Sequence, residues 1–164
     1  MDPLSLLATI AQIAATFVGF TGVIFAIGKY AQGGWSASER NAVVNLLLPA
    51  TAALFLALFP LVIATGFTTS PAFWRVSNAI LAIVHLPLVA SAARLALRGQ
   101  LLEPIPLRYV LLPLGFLAVA GNVVVVVGAW QSWAALIYVA GLALFLLVSA
   151  VQLAMLILAH ARAT

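Results

Sequence analysis

Residues 109–161 read YVLLPLGFLAVAGNVVVVVGAWQSWAALIYVAGLALFLLVSAVQLAMLILAHA, and these 53 residues include no Asp, Glu, Lys or Arg. A helix that crosses the hydrocarbon core of a bilayer needs about 20 apolar residues. The stretch is therefore too long for one such helix and long enough for two. The polar pair Gln131 and Ser132, between two tryptophans, marks the turn. We predict helices over about 107–128 and 133–162.

The whole chain shares this apolar character. Of its 164 residues 66% are hydrophobic and 6% are charged, whereas soluble domains carry roughly 25% charged residues. This composition excludes a soluble or a disordered protein and leaves the lipid bilayer as the solvent. Cysteine is absent, which excludes disulfides and thiolate metal sites. The seven basic residues are too scattered to bind nucleic acid.

Charges and turn residues divide the rest of the chain into three further spans. The first has no basic segment before it, so it is interpreted as a retained helix rather than a cleaved signal peptide. A capping box at Ser36–Glu39 precedes the second, and Pro71 suits the first turn of the third. The prediction is an all-α integral membrane protein, a single transmembrane domain over residues 1–164, whose five transmembrane helices form a bundle. Their predicted bounds are about 5–29, 39–66, 72–98, 107–128 and 133–162; the alternative is four such helices plus a re-entrant segment.

Basic residues are distributed unequally between the two ends of this bundle. Five spans place Arg75 alone at one end and the other six bases at the other. Short loops rich in Lys and Arg stay in the cytoplasm. We therefore predict a multi-pass protein of the plasma (inner) membrane, as in bacteria, with the N-terminus outside and the C-terminus in the cytoplasm. The six bases at the predicted cytoplasmic end are Lys29, Arg40, Arg94, Arg98, Arg108 and Arg162.

Polar residues of the first helix fall on one face, which we call the polar seam. Its members recur in steps of four and three, as in left-handed helix crossings. A face of small residues beside it suits close packing of a second helix, as does Gly19 of the seam. A third face of large apolar residues is expected to contact lipid. The seam consists of Ser5, Thr9, Gln12, Thr16 and Gly19, the small face of Ala8, Ala11, Ala15, Gly22 and Ala26, and the large face of Leu6, Ile10, Ile13, Phe17, Phe20 and Ile24.

Two interpretations of the seam stay open. It bonds to polar groups of other helices within one bundle, or it lines a water-filled path, for instance around the axis of an oligomer. Amide side chains favour two polar layers, because an amide donates and accepts at once. The outer layer would contain Gln12, Asn78 and Asn122, and the cytoplasmic layer Asn45, Ser91 and Gln152.

Five ionisable residues within or near the spans are interpreted individually or as a group. His85 lies near the middle of the third helix, where it could line a path, shuttle protons or bind a haem or pigment metal. The structural alternative is a neutral histidine hydrogen-bonded to a threonine or to a backbone carbonyl freed by a proline. Arg75 either reaches to lipid headgroups or forms the outer mouth of an anion path. Arg94, Arg98 and Arg108 are predicted to contact lipid headgroups at the cytoplasmic interface.

Asp2, Glu39 and Glu103 are all terminal or at span ends and loops, so the interiors of the five predicted spans contain no Asp or Glu. This argues against an enzyme and against carboxylate-driven ion coupling. No metal or cofactor is predicted. The leading functional hypothesis is a small oligomeric channel or permeation protein, lined by the polar seam, Asn78 and His85. The alternative is a non-transporting subunit or scaffold that packs against lipids or other membrane proteins. A weaker alternative is a pigment- or cofactor-binding protein that uses His85. Expected partners are the lipid bilayer and further copies of the chain.

Overall fold

A computed structural model describes residues 2–31, 37–64, 70–100 and 105–161, and within them all side chains except those of residues 25–31, 38, 105 and 159–161. Five long helices account for nearly all of these residues. They are α1 (Pro3–Ala31), α2 (Ala37–Ala64), α3 (Pro71–Leu97), α4 (Ile105–Val126) and α5 (Ala134–Ala161), with one 3-10 turn (Gln131–Trp133) before α5.

All five helices are long and apolar enough to cross a membrane, so the predicted all-α bundle of five is confirmed. Each expected boundary lies within two residues of the observed one. The alternative with a re-entrant segment is wrong, because residues 109–161 form two full-length helices. Ser36 of the predicted capping box and Arg162 lie outside the described residues, as do the side chains of Lys29 and His160.

The start of α3 follows from its first four residues. Pro71 occupies the first turn, where its missing N–H costs no intrahelical bond. The hydroxyl of Ser70 accepts a hydrogen bond from the amide of Phe73 at 3.3 Å. That bond satisfies one of the free amides at the helix start, and the predicted position of Pro71 is confirmed.

Helix α5 is central, because it packs against each of the other four helices. On one side α1 packs against α2 and α5, and on the other α3 and α4 pack against each other and against α5. The main core lies where α1, α2, α3 and α5 meet and includes Leu7, Leu56, Leu81, Tyr138 and Leu142. The side chain of Asn41 at the start of α2 donates to the carbonyl of Gln100 just beyond α3, at 3.3 Å. That bond joins the start of α2 to the end of α3.

The expectation that the whole large face of α1 contacts lipid is wrong. Ile10 is only 7% exposed and Phe17 packs against the core, whereas Phe20 is 60% exposed. Lipid tails are as apolar as a protein interior, so hydropathy does not distinguish a lipid-facing residue from a packed one. Side-chain volume and fit decide instead, and the large side chains fill the space next to α2 and α5.

Proline in α2 leaves a carbonyl for α5 to bind. Pro60 has no N–H, so the carbonyl of Leu56, four residues earlier, loses its helical donor. The hydroxyl of Tyr138, which is fully buried, donates to this carbonyl. About three helical turns from this bond along both helices, the hydroxyl of Ser149 donates to the carbonyl of Leu46 at 3.0 Å, close to Pro49. Two side chains of α5 thus bind the backbone of α2 beside its two prolines.

Candidate functional site

The polar seam lies on the outside of the chain. Ser5, Thr9, Gln12, Thr16 and Gly19 are all exposed. The hydroxyls donate to carbonyls of their own helix end or helix: Ser5 to Asp2 at 2.8 Å, Thr9 to Ser5 at 3.1 Å and Thr16 to Gln12 at 3.0 Å. Hydrogen bonding of these hydroxyls to other helices of the same chain, one of the two interpretations, is therefore wrong. The seam is either lipid-exposed or covered by another molecule.

The small face of α1 divides along the helix. Ala11 is buried and Ala8 is half-buried, so these two pack inside the chain. Ala15 and Gly22 are exposed together with Gly19, and a Cβ placed on either glycine meets no atom within 4 Å. The side chain of Ala26 lies outside the described ones. Beyond Ala11, the seam and the small face form one continuous uncovered surface.

The predicted outer amide layer contains two of its three members. Asn78 and Asn122 are fully buried in the part of the bundle formed by α3, α4 and α5. The amide of Asn78 donates to the carbonyl of Ala134 on α5 at 3.1 Å and to that of Trp74 at 2.8 Å. Gln12 does not join them, because it is exposed on α1, which packs against α2 and α5.

Asn122 forms its bond within α4, where its amide donates to the carbonyl of Ala118 at 2.8 Å. The Oδ1 atoms of Asn78 and Asn122 are buried and accept no hydrogen bond from the described residues. A buried acceptor without a donor costs about 1 to 3 kcal/mol. Both amides therefore keep acceptor capacity in the interior of the bundle.

The predicted cytoplasmic layer surrounds a cavity, which we call the four-helix cavity. It lies between α2, α3, α4 and α5 and has a volume of about 70 Å³, several times the roughly 10–15 Å³ that one water molecule needs. Its walls are mostly apolar and include Leu48, Leu88, Leu111, Leu144 and Val148. Its polar lining residues are Asn45, His85, Ser91, Arg108 and Gln152.

His85 is one of the residues that line the four-helix cavity. It is 2% exposed, and its ring packs against Phe145 with 4.4 Å between ring centroids. Its Nδ1 atom is buried and has no hydrogen-bond partner among the described residues. The structural hydrogen bond expected for this histidine is therefore absent at Nδ1. Six residues separate His85 from Ser91, so the polar lining extends over about 9 Å of depth at 1.5 Å per residue.

Arg75 binds the end of α4. Its Nε and Nη2 atoms donate to the carbonyl of Val126 at 3.2 and 2.9 Å. The amide of Gln131 donates to the neighbouring carbonyl of Val125 at 2.7 Å. The last carbonyls of a helix have no intrahelical donor, and a cation there also interacts favourably with the helix dipole. Arg75 thus has a structural partner that neither sequence interpretation included.

The three arginines predicted to contact headgroups differ from one another. Arg94 and Arg98 are exposed in the last turn of α3 and just after it. Arg108 is half-buried in the first turns of α4 and lines the four-helix cavity. Only Arg108 places its charge next to the buried polar groups of other helices.

The sequence analysis did not predict the hydrogen bonds that Tyr138, Ser149 and Gln131 donate to backbone carbonyls. For Tyr138 the sequence does contain a signal, because Pro60 frees a carbonyl at a known position and a buried tyrosine needs a partner for its hydroxyl. Sequence does not tell which donor reaches that carbonyl, because the pairing depends on how α2 and α5 pack.

Comparison with known proteins gives no assignment. The chain matches no protein-family model, no curated protein and no solved structure. The functional argument therefore depends on a feature of the molecule itself, the uncovered seam of α1.

Proposed function

We propose that the chain is a non-enzymatic subunit of a small homo-oligomer, in which the polar seam faces the oligomer axis and lines a permeation path. The observation that carries the proposal is the exposure of the whole seam. A single copy would present these polar groups to lipid, whereas several copies around an axis present them to each other and to water.

Gln12 is the strongest argument for a covering molecule. A hydroxyl can satisfy itself on its own helix, as Thr9 and Thr16 do. The amide of Gln12 has two donors and an acceptor, and it lies on the exposed face of a membrane-spanning helix. Glutamine side chains in spanning segments characteristically form hydrogen bonds to other helices. Exposed Ala15, Gly19 and Gly22 allow the backbone of a neighbouring helix to approach closely.

The proposed topology has the start of α1 outside and the end of α5 in the cytoplasm of the plasma membrane. At the outer end Arg75 binds the last turn of α4. At the inner end lie Arg40, Arg94, Arg98 and Arg108. The charge asymmetry supports this orientation, since Lys and Arg are retained in the cytoplasm during insertion.

The test uses single cysteines, because the chain has none of its own. Gln12→Cys and Thr16→Cys are treated with a charged, membrane-impermeant thiol reagent, and with an oxidant that forms disulfides. Ile13→Cys is the matched control, since Ile13 is exposed at the same depth on a different face. We expect both seam variants to react and to form disulfide-linked dimers, and the Ile13 variant to do neither. Ala129→Cys should react in intact cells, and Gln100→Cys only after permeabilisation.

Other outcomes separate the rival functions. Disulfide-linked dimers of the seam variants without reaction with the charged reagent would indicate a dry interface, and the chain would be a subunit or scaffold without a path. Failure of both reactions at Gln12 and Thr16, with a normal reaction at Ala129, would contradict both the path and the homo-oligomer. Reaction of Gln100→Cys in intact cells would reverse the topology.

A further inference from the structure

The hydroxyls of the polar seam use their hydrogens within their own helix and its start. Their acceptors are backbone carbonyls at 2.8 to 3.1 Å: that of Asp2 for Ser5, that of Ser5 for Thr9 and that of Gln12 for Thr16. A hydroxyl has one hydrogen and two acceptor lone pairs. Each of these three hydroxyls therefore presents an oxygen acceptor, and no donor, to whatever lies beside the seam.

The rest of the seam adds no charge. Gln12 is exposed and carries an amide oxygen beside its N–H donors, and Gly19 has no side chain. No Lys, Arg or His occurs in the sequence before Lys29. From Ser5 to Thr16, about 16 Å of depth at 1.5 Å per residue, the seam thus offers oxygen acceptors and no cation to hold an anion.

The seam pattern extends one step further, to a carboxylate. Asp2 lies three residues before Ser5, which continues the alternation of steps of three and four. Asp2 is exposed, and its Oδ1 accepts a hydrogen bond from the amide of Leu4 at 3.2 Å. That bond satisfies one of the free amides at the start of α1 and leaves the carboxylate its negative charge. Several copies around an axis would bring their Asp2 carboxylates together in a ring at one end of the path.

Oxygen acceptors and a carboxylate ring favour cations. Oxygen atoms that line a pore replace part of the hydration shell of a cation, and rings of Asp or Glu are typical of cation channels. Such a ring also raises the local concentration of cations at the mouth. Sites for Ca²⁺ and Mg²⁺ use carboxylate ligands, and the seam contains none between Ser5 and Gly19. The neutral oxygens therefore suit a monovalent ion better than a divalent one.

The positive charge of Arg75 lies away from this path. Its Nε and Nη2 atoms donate to the carbonyl of Val126 at the end of α4. Helices α3 and α4 pack against each other and against α5, whereas α1 packs against α2 and α5. Arg75 therefore does not offset the Asp2 carboxylates at the mouth.

We propose that the path lined by the polar seam selects small monovalent cations, such as K⁺ and Na⁺, over anions. The Asp2 carboxylates form its outer mouth, and the oxygens of Ser5, Thr9 and Thr16 are the acceptors along it. This inference rests on the proposed function, since a single copy of the chain has no such path.

The test records the current through the full chain in planar bilayers of uncharged phosphatidylcholine that separate two KCl concentrations. We expect a reversal potential near the Nernst potential of K⁺. With Ca²⁺ as the only cation the current should be roughly tenfold smaller, because neutral oxygens are poor substitutes for its carboxylate ligands. Asp2→Asn should lower the ratio of K⁺ to Cl⁻ permeability, because it removes the carboxylate ring. Asp2→Glu should retain that ratio.

Thr16→Val removes one acceptor from each copy at a similar side-chain volume, and it should lower the K⁺ current about threefold or more. Thr21→Val is the matched control. Thr21 lies on the same helix and its hydroxyl also donates to the carbonyl four residues earlier, that of Phe17, but its side chain is buried inside the chain. This variant should conduct like the unaltered chain, and Thr16→Ser should do so too.

Labelling of Gln12→Cys and Thr16→Cys in the same membranes separates this inference from the proposed function. If the seam cysteines react but the current is selective for Cl⁻, unselective or absent, the cation selectivity is overturned and the path stands. If the seam cysteines do not react, the proposed function fails and this inference fails with it. A K⁺ current that Asp2→Asn and Thr16→Val leave unchanged, or an equal current of Ca²⁺, would also overturn the inference.

Discussion

Single side chains provide hydrogen bonds to backbone carbonyls that have no helical donor. Tyr138 is the clearest case, because it is the largest fully buried side chain among the described residues and its hydroxyl binds the one carbonyl that Pro60 leaves without a donor. A free carbonyl in hydrocarbon has no water to bind. The polar end of this tyrosine therefore replaces the missing amide of the proline.

Tyr138→Phe should lower the free energy of unfolding by about 1 to 2 kcal/mol, because it leaves the carbonyl of Leu56 buried and unbonded. Reversible unfolding in mixed detergent micelles measures this loss. In a Pro60→Ala background the same change should cost about 1 kcal/mol less, since an alanine at position 60 supplies an amide donor for that carbonyl.

Tyr109→Phe is the matched control, because Tyr109 is 76% exposed and its loss should leave stability unchanged. An equal cost of Tyr138→Phe in both backgrounds would show that the hydroxyl matters for a reason other than the proline.

At the scale of elements, the contact of α3 with α4 depends on a glycine. A Cβ on Gly115 of α4 would lie 2.9 Å from Cγ2 and 3.3 Å from Cγ1 of Val89 on α3. Valine is branched at Cβ and has few alternative rotamers in a helix, so it cannot move aside cheaply. The two helices approach closely only because position 115 carries no side chain.

Gly115→Ala should therefore destabilise the protein by about 1 to 3 kcal/mol through overpacking. Gly121→Ala on the same helix is the control, since its Cβ would meet only Cγ2 of Ile137, at 3.5 Å. That contact is ordinary, and the better helix propensity of alanine should leave stability equal or slightly raised. Thermal unfolding in detergent compares the two; a similar loss for both would indicate a general intolerance of alanine in α4. Val89→Ala combined with Gly115→Ala should recover much of the loss.

Helix α1 shows which features of a single helix a sequence pattern can predict and which it cannot. The pattern correctly grouped Ser5, Thr9, Gln12, Thr16 and Gly19 on one side, because a helix turns about 100° per residue. It did not show which side faces α2 and α5. Polarity marks the face that needs covering, but an apolar residue is equally stable against lipid or protein, so Ile10 and Phe17 carried no signal of their burial.

For the whole molecule, the number of helices and their bounds follow from length and apolar runs alone, because lipid requires every spanning segment to satisfy its own backbone. The sequence predicted a polar layer of Asn45, Ser91 and Gln152 but not the cavity that these residues line. His85 and Arg108 line the same cavity because of how α3 and α4 pack, and that packing depends on close fits such as Gly115 against Val89. Sequence patterns therefore predict the helices themselves but not which helices pack against each other.

The bonds from α5 to α2 have a consequence for biosynthesis. Ribosomes deliver α2 to the membrane before α5, so the carbonyl of Leu56 has no Tyr138 to bind until α5 has been synthesised. We expect α2 to stay beside the insertion machinery until α5 arrives. Site-specific photocross-linking of stalled chains that end before and after α5 measures this residence. Early release of α2 would contradict the expectation, and Pro60→Ala, which restores the missing amide, should allow α2 to enter the lipid sooner.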